Sequence, residues 1–488
     1  MAHYSYERLS DRSAEYLLHE DARHHAHASS IQIFDSGPLA TPEGGVDFDA
    51  ICEAIASRLH LVPRLTQELR WVPIEDHPVW VDDPDFILDF HMRHTSLPRP
   101  GGFRQLQNMA ARIMAQRVDR SRPLWECWVL EGVKGGRFAL VMKTHHCMVE
   151  EEGSDLMEVL LSVDPDEPDP EPPLRIPRPL PSARELVMNE VINQARIPRR
   201  TFNRVRNLAH SPEALRHDLE AKARRAAGLL GYSFRPPMDT PLNGPIGRHR
   251  RFRGVRFPLD DAKRVRQMLG GTVHDVILAV VAGATRKYML ERLVNPAAID
   301  FRISTPVGVA PGGSEERVAE WIIDLPVWEK DPVQCFEQIR ADTAKLSENQ
   351  QILSASVFLS GDTWFGGRLL SAGARAQASR APVNMMMANS PGAQVPLYLK
   401  GARMLEAYGE VPLREHHGLS IAVMSYDGRL FFGITADYDV VRDIDRYVFA
   451  LKQAFQELVD AADSTGSAKP DAEEDADEVG GDEAAGQA

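Results

Sequence analysis

The chain has 488 residues, of which 43% are hydrophobic, so it can bury the cores of about two to three globular domains. Its formal net charge is −14, and no basic stripe is present, which argues against a nucleic-acid partner. It contains no apolar run of about 18 residues and no secretory signal pattern, which together predict a cytoplasmic protein. Four scattered cysteines without C-x-x-C spacing predict neither a disulfide framework nor a zinc site.

The first predicted domain, residues 1–163, alternates strand-like and helical segments. Ser30–Phe34 has the composition of a strand. Phe103–Val118 predicts an amphipathic helix, because apolar residues recur along it at three- and four-residue spacing: Leu106, Met109, Ala110, Ile113 and Met114. The apolar run that starts at Phe138 predicts a further strand, and it ends at two adjacent histidines, His145 and His146.

A linker is predicted for residues 164–240. Its opening residues, 164–173, are half proline and half acidic, a composition that does not pack into a sheet. Ser182–Leu230 then predicts helices rich in arginine. Such helices usually present a solvated charged face, but their mixture of apolar and basic residues also fits an amphipathic helix lying on a lipid surface.

The second large domain is predicted at residues 241–462. Thr272–Leu290 has the periodicity of a helix, and an Asp-Gly hairpin turn joins the last two of three predicted strands: Phe301–Val307, Gly418–Tyr426 and Leu430–Ile434. Both large domains mix strands with helices, so the predicted fold class is α/β, with two domains of similar size. Residues 463–488 are acidic and nearly free of large apolar side chains, which predicts a disordered tail.

The two histidines at the strand end are the first candidates for catalysis. A neutral imidazole can accept a proton from an alcohol near neutral pH without a metal ion, and the carboxylate of Glu150 follows nearby. One alternative is a pair of ordinary histidines at a strand end. A metal centre is another, since further histidines cluster, but the H-E-x-x-H arrangement of zinc enzymes is absent among His24, His25, His27, His416 and His417.

Short phrases spread over nearly the whole chain outside the linker and the tail resemble the bacterial wax ester synthase/diacylglycerol acyltransferase family. In chain order they are Leu61–Leu65, Trp80–Phe86, Pro123–Glu126, Pro241–Gly247, Asn389–Gly392, Pro396–Leu399 and Gly401–Met404. The family motif H-H-x-x-x-D-G corresponds to His145–Glu151. The family is similar to the chloramphenicol acetyltransferase superfamily, which implies two α/β lobes with an active-site tunnel between them.

By this resemblance His146 is the general base, His145 orients it, and Glu150 stands at the position of the motif's aspartate. The implied reaction moves a fatty acyl group from acyl-CoA, a co-substrate, to a long-chain alcohol or a diacylglycerol. No bound cofactor and no metal are implied. Lipid substrates are held in membranes or droplets, so peripheral contact with such a surface is also expected. Nothing in the sequence indicates an oligomeric state.

The resemblance also names three candidate substrate contacts, Trp125 in the wall beneath the active site, Asn389 near the tunnel, and Asp275. Each has a simpler structural interpretation. Trp125 can be a core residue, Asp275 can be a charge at a helix N-terminus, and Asn389 can be part of a turn.

The chain departs from the family pattern in and around the motif. Glu150 replaces aspartate, Glu151 replaces glycine, and Ala310 follows a strand where the family usually has arginine. These departures leave an alternative function open. The chain can be a catalytically degenerate protein that keeps the acyltransferase fold and binds lipid or acyl chains, or that partners an active paralogue. A third hypothesis is transfer of an acyl chain bound to a carrier.

Overall fold

The computed structural model describes residues 6–73, 77–148, 159–188, 238–309, 317–348 and 383–466. Within these ranges the chain forms two six-stranded sheets and one three-stranded sheet, with helices packed on them. The six-stranded sheets are the centres of two lobes. Each lobe has its own large cluster of buried apolar side chains, and that of the first lobe also takes in Phe252, Tyr426 and Phe431 of the second sheet.

The strands, in chain order, are β1 (Tyr6–Arg8), β2 (His27–Asp35), β3 (Gln67–Trp71), β4 (Pro78–Asp82), β5 (Met92–Ser96), β6 (Trp125–Val133), β7 (Arg137–His145), β8 (Arg250–Pro258), β9 (Phe301–Val309), β10 (Arg317–Leu325), β11 (Met385–Pro391), β12 (Tyr398–Leu399), β13 (Ala402–Glu410), β14 (Leu419–Tyr426) and β15 (Arg429–Asp437). The main helices are α1 (Asp11–His19), α2 (Phe48–Arg58), α3 (Phe103–Met114), α4 (Leu259–Leu269), α5 (Val273–Leu290), α6 (Pro332–Glu348) and α7 (Ile444–Gly466).

The first lobe is built on a sheet with the strand order β12–β13–β2–β7–β6–β5. β7 pairs antiparallel with β2 and β6, and β5 joins β6 in parallel. The β2–β7 register puts His27 opposite His145 at one end and Asp35 opposite Arg137 at the other. Both strands predicted in the first domain are confirmed. The histidine pair therefore lies where a central, buried strand ends.

The second lobe is built on a sheet with the strand order β10–β9–β11–β14–β15–β8. β11 runs parallel to its two neighbours, and the other pairs are antiparallel. The predicted hairpin joins β14 to β15. Asp427 and Gly428 have φ angles of 43° and 73°, the positive values that a tight two-residue hairpin turn requires.

The long helix predicted in the second domain is confirmed as α5, and it begins with a reciprocal cap. Asp275 donates its N–H to the Thr272 hydroxyl at 3.2 Å, and its carboxylate accepts the Thr272 N–H at 2.7 Å. The predicted apolar side of α5 is buried, and most of the opposite side is buried too. The reason is that α5 packs between α6 and α7 as well as on the sheet.

Two strands from the second half of the chain lie in the first lobe. β13 pairs antiparallel with β2, with Glu410 opposite Ser29, and β12 continues the sheet beyond β13. The segment predicted as the second domain, 241–462, therefore supplies part of the first sheet. Strand pairing between distant segments leaves no mark in local periodicity, so the sequence analysis did not foresee this crossover.

The predicted linker begins as an extended segment held against the first lobe. Asp169 forms ion pairs with Arg58 of α2 and with Lys400, and Arg178 pairs with Asp82 of β4. Residues 189–237, which include most of the predicted basic helices, lie outside the described residues. Of the predicted acidic tail, 463–466 belong to α7, and the remainder also lies outside the described residues.

The surface between the lobes, here called the seam, is formed where α3 of the first lobe packs against β8 of the second. Gln107 of α3 donates to the Gly254 carbonyl oxygen at 3.2 Å. Asp445 accepts hydrogen bonds from Arg253 of β8 at 2.6 Å and from Arg104 of α3 at 3.0 Å. The predicted amphipathic helix is thus confirmed as α3, which ends at Met114 and joins the two lobes.

None of the described helices is by itself both long enough and apolar enough to cross a membrane. α4 and α5 reach the required length and apolar content only when they are treated as one segment, and their axes are bent by 100° relative to each other.

Candidate active site

The histidine pair lies at the end of β7, with His145 as its last residue, and main-chain hydrogen bonds hold the chain there on both sides. The His145 N–H donates to the Leu124 carbonyl oxygen at 2.9 Å, and the His146 N–H donates to the Ala26 carbonyl oxygen at 2.7 Å. Leu124 directly precedes β6 and Ala26 directly precedes β2. The backbone position of both histidines is therefore set by the neighbouring strands of the sheet.

His145 is enclosed and neutral. It is 1% exposed, and its Nδ1 accepts the N–H of Cys147 at 3.3 Å, so the ring proton of the neutral form is on Nε2. Burial, together with the nearby ring of His27, lowers the pKa of His145 to about 3. The side chain therefore stays unprotonated at neutral pH and is closed to substrate. These contacts support an orienting role.

Behind the histidines lies a buried carboxylate that the sequence analysis missed. Glu20 follows α1, and its side chain is 1% exposed. Its oxygens lie 3.2 Å from His27 Nε2, 3.8 Å from His145 Nε2 and 3.2 Å from Arg117 Nη2, and it also pairs with Arg120. Burial alone would raise the pKa of Glu20. The contact with His27 and the nearby positive charge of Arg120 outweigh burial and hold that pKa well below its ordinary value.

His146 differs from His145 because part of its side chain remains accessible. Its ring stacks on that of Tyr16 of α1, with centroids 4.4 Å apart and planes at 8°. The residue is half-buried. Stacking fixes the plane of the imidazole. Of the two histidines, His146 is the residue that is not fully buried.

The loop before β2 brings the second lobe close to His146. Arg250 of β8 donates a hydrogen bond to the Arg23 carbonyl oxygen, and the ring of His24 contacts the Glu415 carboxylate. This loop is the one whose last residue accepts the His146 N–H. His146 is thus held by a segment that itself contacts both lobes, which places it beside the seam.

Glu150, the residue at the motif's aspartate position, lies outside the described residues, as do Glu151 and Ala310. Of the clustered histidines, His24 and His25 lie in a loop before β2, as predicted, and His27 begins that strand. In the part of the chain that the structure describes, no group of three or more His, Cys, Asp or Glu side chains is arranged to hold a metal ion.

Trp125 occupies the core of the first lobe. It is 1% exposed, its indole N–H donates to the Leu65 carbonyl oxygen at 2.7 Å, and its ring stacks on His91. A tryptophan with its one donor satisfied and its ring packed has no face left for a ligand. The structure therefore favours the core interpretation of Trp125 over the substrate contact.

The two other predicted contacts lie in the second lobe, and their surroundings differ. Both carboxylate oxygens of Asp275 are used, one by Thr272 and the other by the Thr343 hydroxyl at 2.7 Å, which favours the capping interpretation. Asn389 lies on β11 and is only partly buried. Its side-chain amide is 3.2 Å from Nδ1 of His274, so it retains capacity for a further hydrogen bond.

We expect Asp275→Ala to lower stability without affecting substrate affinity. The change removes the cap of α5 and the hydrogen bond from Thr343, a loss of about 2 kcal/mol in the free energy of unfolding. Urea denaturation measures this loss, and KM for the acyl donor should stay unchanged. The exposed Asp260→Ala on α4 is the matched control. A KM raised tenfold at unchanged stability would show instead that Asp275 contacts substrate.

The architecture defines a class of protein: two α/β lobes that meet at a seam, with a histidine pair at the end of a central strand. The wax ester synthase/diacylglycerol acyltransferase from Marinobacter aquaeolei has this fold, with a TM-score of 0.63 and 23% identity over 93% of this chain and 100% of that one. The first condensation domain of the calcium-dependent antibiotic synthetase also has it, with a TM-score of 0.55 and 14% identity over 94% and 97%. The predicted two-lobed fold class is confirmed.

Sequence comparison resolves the family within that class. The model of the wax ester synthase/diacylglycerol acyltransferase catalytic domain matches residues 9–277, and that of the C-terminal domain matches 316–459. A putative diacylglycerol O-acyltransferase of Mycobacterium bovis is 31% identical over 92% of this chain and 95% of its own length. A probable diacylglycerol O-acyltransferase of Mycobacterium tuberculosis matches equally well. The chain belongs to the wax ester synthase/diacylglycerol acyltransferase family, as the resemblance indicated, and is an acyltransferase.

Proposed function

We propose that the chain transfers a fatty acyl group from acyl-CoA to the hydroxyl of a long-chain alcohol or a diacylglycerol, with His146 as the general base. The observation that carries the assignment of the base is the half-buried ring of His146, stacked on Tyr16 beside the seam. Family membership supports the reaction, and the contrast with the enclosed His145 supports the choice between the two imidazoles.

The chemistry needs only one proton carrier. His146 accepts the hydroxyl proton while the oxygen attacks the thioester carbonyl carbon, which forms a tetrahedral oxyanion. The oxyanion collapses, the carbon–sulfur bond breaks, and the imidazolium returns the proton to the departing thiolate of CoA. The imidazole ends unprotonated, so the cycle closes without a covalent intermediate.

Cys147 is the neighbouring side chain that could otherwise act as a nucleophile. It is fully buried, with its sulfur 3.0 Å from Nδ1 of His145. A catalytic cysteine needs access to the substrate carbonyl as well as a thiolate. The burial of Cys147 therefore supports direct transfer from the donor to the acceptor hydroxyl.

The test is an assay of purified protein with labelled palmitoyl-CoA and either hexadecanol or diolein, followed by separation of the lipids. The proposal predicts labelled wax ester, labelled triacylglycerol or both, together with free CoA in equal amount. The degenerate alternative, which rests on Glu150, Glu151 and Ala310, predicts acyl-CoA binding without either product. Transfer from a carrier-bound acyl chain predicts product only when an acylated carrier protein replaces palmitoyl-CoA.

We further propose that the chain reaches its lipid substrates by peripheral contact with a membrane or droplet surface. The support is a set of exposed apolar side chains in the first part of the linker: Val163, Leu174, Ile176, Leu180 and Met188. Exposed apolar residues in one segment, followed along the chain by many arginines, suit an interface of acyl chains and anionic headgroups.

We expect Leu174→Ser with Ile176→Ser to weaken co-sedimentation with phosphatidylglycerol vesicles at least tenfold. Each of these side chains is more than three-quarters exposed, so the change removes apolar area available to lipid and leaves the core intact. Leu290→Ser with Leu293→Ser is the matched control, because both leucines are exposed on the second lobe. If both double variants lose vesicle binding equally, or if neither loses it, the proposed surface contact is contradicted.

A further inference from the structure

At the end of the seam remote from the histidines, arginines from both lobes converge on a cavity of about 330 Å³. Arg137 and Arg403 come from β7 and β13 of the first sheet, and Arg256 and Arg429 come from β8 and β15 of the second. The cavity therefore belongs to neither lobe alone. Any ligand that it holds contacts both sheets.

The positive charge of the cavity is only partly balanced. Glu406 is 5% exposed, pairs with Arg256, lies 3.5 Å from Arg137 and accepts the hydroxyl of Tyr408 at 2.6 Å. The other carboxylate of the wall, Asp427, pairs with Arg403 at 2.8 Å.

Arg429 forms no ion pair with the residues that the structure describes. The lining as a whole has four guanidinium groups and two carboxylates, an excess of two positive charges. This excess stands out in a chain whose formal net charge is −14. Like charges that converge on one space repel each other, and an anion bound between them offsets that repulsion.

We propose that this cavity binds a phosphate or diphosphate group of a small anionic ligand. The planar guanidinium fork matches the oxygens of a phosphate and can bind two of them at once. The side chains of Arg137, Arg256 and Arg403 are between 39% and 48% exposed, so their charged ends are open to an incoming ligand. The buried carboxylate of Glu406 holds Arg137 and Arg256 in place.

The site is separate from the proposed acyl transfer. Arg137 and His145 begin and end β7, so they lie roughly 26 Å apart along the strand. Between the two ends the seam is filled by Tyr408, Phe252 and Phe431, none of them more than 1% exposed. A phosphate in the cavity therefore does not touch the reacting atoms, and its binding does not depend on the proposed function.

The test is calorimetric titration of the full chain with inorganic pyrophosphate in a buffer free of other multivalent anions. We expect saturable binding to the wild type, and Arg429→Ala should weaken it by about tenfold to a hundredfold, the value of a hydrogen-bonded charge pair. Arg429 is the cleanest choice because its removal breaks no ion pair among the described residues. Arg403→Ala should weaken binding as well. Arg266→Ala, an exposed arginine on α4 away from the cavity, should bind as the wild type does.

Two further probes distinguish the natural source of the phosphate. Adenosine 3′,5′-bisphosphate represents a soluble nucleotide, and vesicles with phosphatidic acid represent a lipid headgroup. Binding of either probe that is lost in Arg429→Ala supports the site and names its source. Titration of His146→Ala should give the wild-type result. The proposal is overturned if none of the probes binds, or if Arg429→Ala and Arg403→Ala bind pyrophosphate as tightly as Arg266→Ala does.

Discussion

His146→Ala should reduce the turnover of ester formation by about 10²- to 10⁴-fold, the contribution that a positioned general base usually makes. The substitution removes the only atom proposed to accept the hydroxyl proton. It should leave the fold intact, because the main-chain bond from His146 to Ala26 does not involve the side chain. The measurement is the initial rate of lipid product from labelled acyl-CoA, with circular dichroism and binding of a non-hydrolysable acyl-CoA analogue as checks on folding and affinity.

The matched control is His60→Ala, which removes an exposed imidazole of the first lobe. That variant should keep the wild-type rate. His145→Ala is an informative second comparison, since His145 is enclosed and supports the turn through Cys147. It should lose stability as well as activity, whereas His146→Ala should lose activity alone. Wild-type turnover in His146→Ala would end its assignment as the base.

Glu20→Ala should be the most destabilising single change near the site, by roughly 3 kcal/mol in the free energy of unfolding. Removing one member of a buried ionic group leaves the others desolvated and uncompensated, and here Arg117 and Arg120 would lose their carboxylate. This expected loss in the free energy of unfolding lies at the lower end of the range for buried ion pairs, because both arginines are partly exposed and water screens them. Guanidinium denaturation of the wild type and the variant measures the difference.

The same substitution should lower kcat and leave KM for acyl-CoA unchanged. Glu20 contacts His27 and His145, the two rings that support the turn ahead of His146, and it does not reach substrate itself. Glu20→Gln separates charge from shape, because it keeps the size of the side chain and one acceptor oxygen. Glu53→Ala, an exposed carboxylate on α2, is the control for charge alone. A Glu20→Ala variant as stable and as active as the control would refute the role assigned to this carboxylate.

The site divides into residues that the sequence could identify and residues that it could not. His146 was identified because a short local motif, at the end of an apolar run, carries both the chemistry and the position on a strand. Glu20 was not identified because it precedes His145 by 125 positions, and no local pattern contains both residues. Tyr16 was missed for the same reason, since its stacking on His146 exists only after α1 has packed beside the end of β7.

Trp125 and Asp275 illustrate the opposite case. The resemblance made both of them candidate substrate contacts, yet hydrogen-bond partners decide what a polar atom can do, and those partners come from elsewhere in the chain. The Leu65 carbonyl oxygen accepts the indole N–H of Trp125, and the Thr343 hydroxyl donates to the second carboxylate oxygen of Asp275. The family phrases carry no information about these partners.

The sequence by itself determined the α/β class, the family, the amphipathic α3, the capped α5, the hairpin at Asp427–Gly428 and the strand that ends at the histidine pair. The helices, the hairpin and the strand depend on periodicity, capping or turn chemistry within about twenty residues, and the class and the family follow from the order of such local patterns along the chain. Only the tertiary structure decided the crossover of β12 and β13 into the first sheet, the burial of His145 as against the accessibility of His146, and the convergence of four arginines at the seam. These features depend on pairing and burial between distant segments, for which local sequence carries no signal.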